Sequence, residues 1–484
     1  MKKLFFILIV FASFANVTAQ IDINSSGHVG IGTANSGYQL DVAGDARVNG
    51  NILLGGAFNN FSTSHESLPI TFKMNNVVAG YTGHIWHSSV SFGYGALNPL
   101  TGLGNTAIGF EALCSNTTSV SNTASGFRAL YSNTTGNYNT ATGSEALRSN
   151  TTGEGNTANG YRAIYLNTTG CKNTATGIYA MGSNTTGSNN TASGNYVLFS
   201  NSEGNNNTAT GFNALYFNTT GSNNTAIGHS ALNSNTSGNY NAAVGNNALH
   251  YNYSGCNNTA VGYYTLISNM TGSYNTAIGY SADVYTGSLT NATAIGYDTK
   301  VYASDQVRIG NSSVTSIGGY VAWTNFSDGR AKKNIRTEVP GLAFIKLLQP
   351  ITYNLDLDAL DALLKYDDPN INNTNDPLRI EPTPEEKAIV AKARAKKEQQ
   401  VYSGFVAQDV EKAALSVGYD FSGVDAPENE KSVYGLRYSE FVVPLVKAVQ
   451  ELSEQNDAKD AAITLLQKQV NELTGLVNRL LGKE

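Results

Sequence analysis

From Asn105 onward one pattern, N-T-A-x-G-x-x-A-L-x-x-N-T-T-G-x-x, returns every 17 residues without insertion or deletion, opening again at Asn122, Asn139, Asn156, Asn173 and onward to Asn275. A degenerate twelfth copy begins at Ala292, and a weak copy, one residue short, precedes the array around Phe92-Gly93. So strict a period leaves few architectures open. A unit of this length cannot bury an apolar face alone, so each must stack on the next, and the array is a solenoid. The unit is too short for two helices and dense in Gly, Asn and Thr. It therefore predicts a β-coil with two strands, N-T-A-x-G and A-L-x-x-N, joined by two turns.

The third-position alanines (Ala124, Ala141, Ala175) and the Ala-Leu pairs (Ala129-Leu130, Ala146-Leu147, Ala214-Leu215) are the steadily apolar positions, so they line the interior. Stacking at ~4.8 Å per coil sets each Asn over the next, where side-chain amides can form a ladder and satisfy turn carbonyls. Glycines at the fifth and fifteenth positions, Gly126 and Gly136 in the second copy, mark turns needing positive φ or a close backbone approach. Twelve coils make a rod roughly 55 to 60 Å long. Cys171 and Cys256 share a phase five coils apart, ~24 Å, far beyond the ~7 Å limit for a disulfide. Free thiols are expected, with an inter-chain bridge at equal height as the other reading.

Outside the array, Lys2 and Lys3, the apolar run Leu4 to Phe14 and the small residues Val17-Thr18-Ala19 have the layout of a secretory signal cut after Ala19. The expected location is secreted or cell-surface. No later run reaches ~18 apolar residues, so no membrane span is expected. A net charge of -6 offers nucleic acid no electrostatic footprint. The 3 cysteines match no metal or CxxC pattern, and among the 6 histidines only His84 and His87 lie near each other, so no metal site is expected. Gly30-Ile31-Gly32 is followed by no helix and no Walker-type glycine loop occurs, so no cofactor is implied.

Charge then divides the chain. Asn105 to Ser304 carries 11 charged side chains and Ser327 to Glu484 carries 45. The organisation read from these signals is a signal peptide (1–19), N-terminal β fibre modules (20–104), a β-solenoid shaft (105–310), a linker (311–326), a charged domain (327–452) and a coiled coil (442–484). The N-T-A-I-G motif (Asn105 to Gly109, Asn275 to Gly279) resembles the repeat of trimeric autotransporter adhesin heads, which implies a left-handed β-roll. The array departs from it in its 17-residue period and in having no barrel anchor after it. Val29 to Thr33 (V-G-I-G-T) and Leu40 to Gly50 resemble modules at the starts of bacterial and phage fibre proteins, and read as short alternating strands with Gly turns.

At the charge boundary stands F-S-D-G-R-A-K-K-N-I, Phe326 to Ile335, followed by Tyr353, then G-F-V-A-Q-D-V-E (Gly404 to Glu411), then L-R-Y-S-E-F-V-V-P-L-V-K-A-V-Q-E-L (Leu436 to Leu452). This order of blocks resembles the intramolecular chaperone autoprotease domain at the ends of phage endosialidases and other tailspikes. The resemblance implies an α+β domain that trimerises, guides folding of the fibre ahead of it and cuts itself off with a Ser-Lys dyad. Carried over, the nucleophile is Ser327, the general base Lys332 and the broken bond Phe326-Ser327, in a single-turnover serine endopeptidase. Asp328, Arg330, Asn334 and Gln408 are the supporting candidates. Asn334 and Gln408 could support an oxyanion or orient the base, and as buried amides they serve structure equally well.

The chemistry sets conditions of its own. A serine hydroxyl needs a base, and a lysine serves only when burial or neighbouring cations favour its neutral amine, a task for which Arg330 and Lys333 are well placed. A spacing of five fits no helix face, and an extended chain would part the two by ~16 Å, so the chain must bend. Asp328-Gly329 is a strong turn signal that can fold Lys332 onto Ser327, and a lysine from a neighbouring subunit is the alternative. Taken alone, Ser327-Asp328 reads as a helix N-cap or an exposed turn. The resemblance departs at Leu355 to Gln400, an insert rich in Asp, Pro, Glu and Lys that reads as a loop plus an exposed helix from Pro384 to Gln400.

The tail carries Val442, Val449, Ile463, Val470 and Val477 at a, and Leu445, Leu452, Leu466, Leu473 and Leu480 at d, with Asn456 and Lys459 as the exceptions. Such a seam multimerises. β-branched a residues with Leu at d favour two strands, while the resemblance implies three. The expected whole is a mainly β, exported homotrimeric fibre, structural or adhesive, whose partner is itself, with a host or cell-surface glycan as the further candidate. The competing readings are a non-cleaving fibre with a permanent trimer cap, and a solenoid whose Thr and Asn rows bind glycan or ice.

Overall fold

The computed structural model describes residues 89–97, 102–320, 323–363, 383–427 and 432–483, with the backbone of five further strands between Ile21 and Thr82. The expected signal segment and the His84/His87 pair lie outside the described residues. The chain falls into two units divided after Ser64. In the first, strand Ile21–Ile23 pairs antiparallel with Val29–Ile31, which pairs parallel with Leu40–Val42, as the short-strand reading of this region requires.

The second unit holds the solenoid. Each 17-residue copy contributes one short strand to a 16-stranded sheet, and consecutive copies pair in parallel and in register: Ala124 lies between Ala107 and Ala141. The array begins upstream of Asn105, at the weak copy, and ends within the expected bound at 310. Val90–Phe92 forms an upstream coil, itself paired antiparallel with Val77–Thr82 of a hairpin, and Val307–Ile309 adds a shortened coil after Thr293–Ile295. The antiparallel hairpin closes an edge that would otherwise offer unpaired amides to another sheet.

The interior is as the pattern dictates. Ala124, Ala129 and Leu130 are fully buried, and so are their equivalents in the following coils. A buried Leu contributes ~1.5–3 kcal/mol, so repeated stacking supplies what one coil cannot. The asparagines form two internal ladders. In the first, Asn139 N–H donates to Asn122 Oδ1 at 2.8 Å, and Asn139 Nδ2 donates to the Gly153 carbonyl at 2.9 Å. In the second, Asn167 Nδ2 donates to Asn150 Oδ1 at 2.7 Å and to the Gly170 carbonyl at 2.9 Å. Both sense-making roles of glycine occur: Gly126 has φ +143, while Gly136 keeps an ordinary φ, and a Cβ there would strike the Gly153 carbonyl and the amides of Asn133 and Asn150.

One expectation fails. The A-L-x-x-N segment is no strand; it is a turn in which left-handed residues alternate, with Arg128 at φ 53 and Leu130 at φ 52. The reason lies in the hydrogen bonds. Arg128 N–H donates upstream to Phe110 O at 2.8 Å and Leu130 N–H donates downstream to Ala146 O at 3.0 Å, so alternating backbone handedness lets one tight turn bond to both neighbours. A left-handed L-residue costs ~1–2 kcal/mol, which the stacked bonds and the burial of Leu130 offset.

After the linker the chain builds a small mixed core. Helix α1 (Leu342–Ile345), strand Ile351–Tyr353, α2 (Leu357–Leu363), α3 (Pro384–Glu398), strand Tyr402–Gly404, α4 (Ala407–Ser416) and α5 (Val442–Leu480) follow in order. The two strands pair antiparallel, with Tyr353 stacked on Tyr402 at 5.8 Å. Phe344, Val410, Ala414, Phe421 and Phe441 form the buried cluster that joins α1, α4 and the start of α5. The insert contains the exposed helix expected from Pro384, and a second, α2, before it. From Leu452 onward the apolar residues of α5 are exposed among the described residues: Leu466 is 58% and Leu473 64% exposed. Among the described residues no helix is long and apolar enough to cross a membrane.

Candidate active site at the end of the shaft

The bend that the Ser-Lys spacing demanded is a single 3-10 turn, Gly329–Ala331. Asp328 starts it from an extended conformation, accepting the Arg330 N–H at 2.9 Å, and Lys332 N–H closes it on the Gly329 carbonyl at 3.2 Å. Three residues per turn carry Lys332 back over Ser327. Its Nζ donates to Ser327 Oγ at 2.8 Å, within one chain, so a neighbouring subunit's lysine is not needed to form the pair. The N-cap is Asp328, which leaves the Ser327 hydroxyl to accept from Lys332.

Arg330 does something other than expected. Its guanidinium grips Asp328, Nη2 to Oδ2 at 2.6 Å, so its charge is neutralised at the turn rather than turned on Lys332. These hydrogen bonds hold the Asp328 carboxyl below its ordinary range and push Arg330 up. Asn334 takes a left-handed conformation (φ 56) just past the turn, and Gln408 sits in the first turn of α4. Both amides are exposed, which corrects their expected burial, and neither is drawn into the Ser327–Lys332 hydrogen bond. Phe326, on the other side of the candidate bond, is fully exposed. The result is a Ser327–Lys332 hydrogen bond open to solvent, beside an exposed Phe326.

A separate contact, which the sequence did not signal as a site, joins the linker to the inserted helix. Arg394 and Lys397 of α3 reach Ser312 and Val314 in the linker. Their trace in the sequence is the insert itself, whose last turns are rich in cations. The proposed ligand face changes as well. The ladder asparagines, such as Asn139 and Asn150, are internal, and the strands turn Thr outward, as at Thr140 and Thr142, with Asn159 and Ser193 in the same row as Thr142. From Ile227 the outward row turns apolar, through Val244, Val261 and Ile278. The thiols of Cys114, Cys171 and Cys256 are free. No protein-family model matches the chain, and no curated protein matches it.

Proposed function

We propose that this chain is an exported, homotrimeric fibre whose C-terminal region aligns three chains, guides winding of the solenoid and then severs itself at Phe326-Ser327. The observation that carries the reading is the 2.8 Å contact between Lys332 Nζ and Ser327 Oγ, made by a turn at the boundary between neutral shaft and charged domain. In the reaction, neutral Lys332 takes the Ser327 hydroxyl proton as Oγ attacks the Phe326 carbonyl carbon. The C–N bond breaks, the proton passes to the Ser327 nitrogen, and an ester joins the two pieces. Water then hydrolyses the ester, leaving a Phe326 carboxylate and a new Ser327 amino terminus. The lysine needs a drier setting than one chain offers, and assembly supplies it by covering the turn.

The trimer claim is supported by α5, whose a and d rows are exposed, Val449, Leu452, Ile463 and Leu466 by 49% to 64%. A clamp at the C-terminus also answers a hazard of repeats, since near-identical coils can pair in slipped registers. Intact-mass and denaturing-gel analysis of the purified protein tests the reading. Two fragments meeting at 326/327 are expected from the native chain and one intact chain from Ser327→Ala. Lys332→Arg keeps the charge but cannot act as a base, and is expected to stay whole. Cleavage by Lys332→Arg at the native rate would refute the dyad.

The exposed pairs Thr140/Thr142 and Thr174/Thr176 favour a second role for the shaft, as a flat hydroxyl face for glycan. Thr-to-Tyr changes in these rows are expected to abolish glycan binding while leaving the fold intact.

A further inference from the structure

We propose that the inserted helices α2 and α3 are a latch that holds the C-terminal region on the end of the shaft after the Phe326-Ser327 bond is cut. The inference rests on the self-cleavage reading and extends it: release takes two steps, a covalent one and a non-covalent one.

Arg394 and Lys397 lie three apart on α3, hence on one face of the helix. Lys397 Nζ donates to two linker carbonyls, Ser312 O at 2.7 Å and Val314 O at 2.9 Å. Arg394 Nη1 reaches Ser312 Oγ at 3.4 Å. The arginine does not reach alone: Asp358 and Asp361 of α2 grip its guanidinium at 2.7 and 2.6 Å, and its side chain is only 20% exposed. α2 therefore braces the residue that α3 presents. The same Asp361 lies near enough to the last coils to act on Asp298 and Tyr302. Burial against the linker also draws the Lys397 amine below its ordinary value.

Every shaft-side atom in this contact precedes the scissile bond, and every latch atom follows it. Hydrolysis at 326/327 removes the chain connection and leaves each of these bonds in place. The insert is also where this chain departs from the autoprotease domain it resembles, so the latch is a property of this chain. Its bonds are between charges and dipoles at the surface, so salt weakens them, the screening length falling from ~10 Å at 0.1 M to ~3 Å at 1 M.

Self-cleaved wild-type protein is run on size exclusion in about 0.1 M and about 1 M salt, with a denaturing gel of each sample. The pieces are expected to travel together at low salt and apart at high salt. Arg394→Ala with Lys397→Ala is expected to be cut as fully as wild type, with an apparent dissociation constant between the pieces raised at least about tenfold. Wild-type pieces that part at low salt would overturn the latch, and so would a double variant that holds as tightly as wild type. A chain that never cuts itself would refute self-cleavage instead. The latch is then read on Ser327→Ala carrying a recognition site for an added protease within residues 315–325, with the same two outcomes deciding.

Discussion

Asn167 is the sharpest probe of the shaft, because its fully buried amide serves three coils at once. Its Nδ2 donates to Asn150 Oδ1 (2.7 Å) and Gly170 O (2.9 Å), and its Oδ1 accepts from Asn184 Nδ2 (2.8 Å). Asn167→Ala removes all three bonds, but unequally. Gly170 O keeps Asn156 as a donor, and Asn184 keeps the Gly187 carbonyl, whereas Asn150 Oδ1 is left buried without its donor. One orphaned acceptor costs ~1–3 kcal/mol and two weakened bonds ~0.5–1.5 kcal/mol each, giving about 2–6 kcal/mol. Repeat arrays do not unfold in one step, so the loss is read by amide hydrogen exchange, coil by coil, in a Ser327→Ala background. Exchange across residues 150–187 should accelerate at least about thirtyfold, each ~1.4 kcal/mol being a factor of ten. Thr176→Ala, on the exposed strand face of the neighbouring coil, should change it little. Equal acceleration in the two variants would refute the ladder as a source of stability.

Gly136→Ala should destabilise the shaft more than Gly155→Ala in the same exchange measurement. Gly155 has φ +66 but open space towards Lys172, whereas Gly136 lies against the next coil's backbone. At the C-terminal end of the core Asp283 occupies the ninth position of its coil, where earlier coils place Leu, and it is fully buried beside Lys300 at 3.6 Å. Burial outweighs Lys300 and raises its pKa, so the native state holds the proton more tightly than the unfolded one. Stability from this group is present in full below the unfolded value of ~3.9 and is lost as pH rises through the raised native value. Asp283→Asn should flatten that part of the Tm–pH curve. Leu466→Asp with Leu473→Asp should reduce the sedimentation mass from three chains to one while leaving the shaft's circular dichroism unchanged.

The solenoid was readable because its period exposes burial directly. Positions held to Ala or Leu in copy after copy, such as Ala124 and Leu130, have no other explanation than an interior, and the Asn rows follow from stacking geometry. The second strand was misread because strand propensity scores a residue such as Leu130 for an extended backbone. Its left-handed conformation is imposed by bonds to the coils on either side, which no local window contains. At the candidate site the turn between Ser327 and Lys332 was legible from Asp-Gly. The pairing of Arg330 with Asp328 was not, since spacing alone leaves a cation free to face either neighbour. The contacts of Arg394 and Lys397 with Ser312 join residues about 80 apart in the chain, a separation at which sequence pattern carries no pairing information.

Because each coil presents the same two faces to its neighbours, a copy can be gained or lost by recombination without disturbing either end. Reach then becomes an inherited quantity counted in whole coils, each adding roughly 4.8 Å. Lineages can lengthen or shorten the solenoid while leaving the segments at its two ends unchanged.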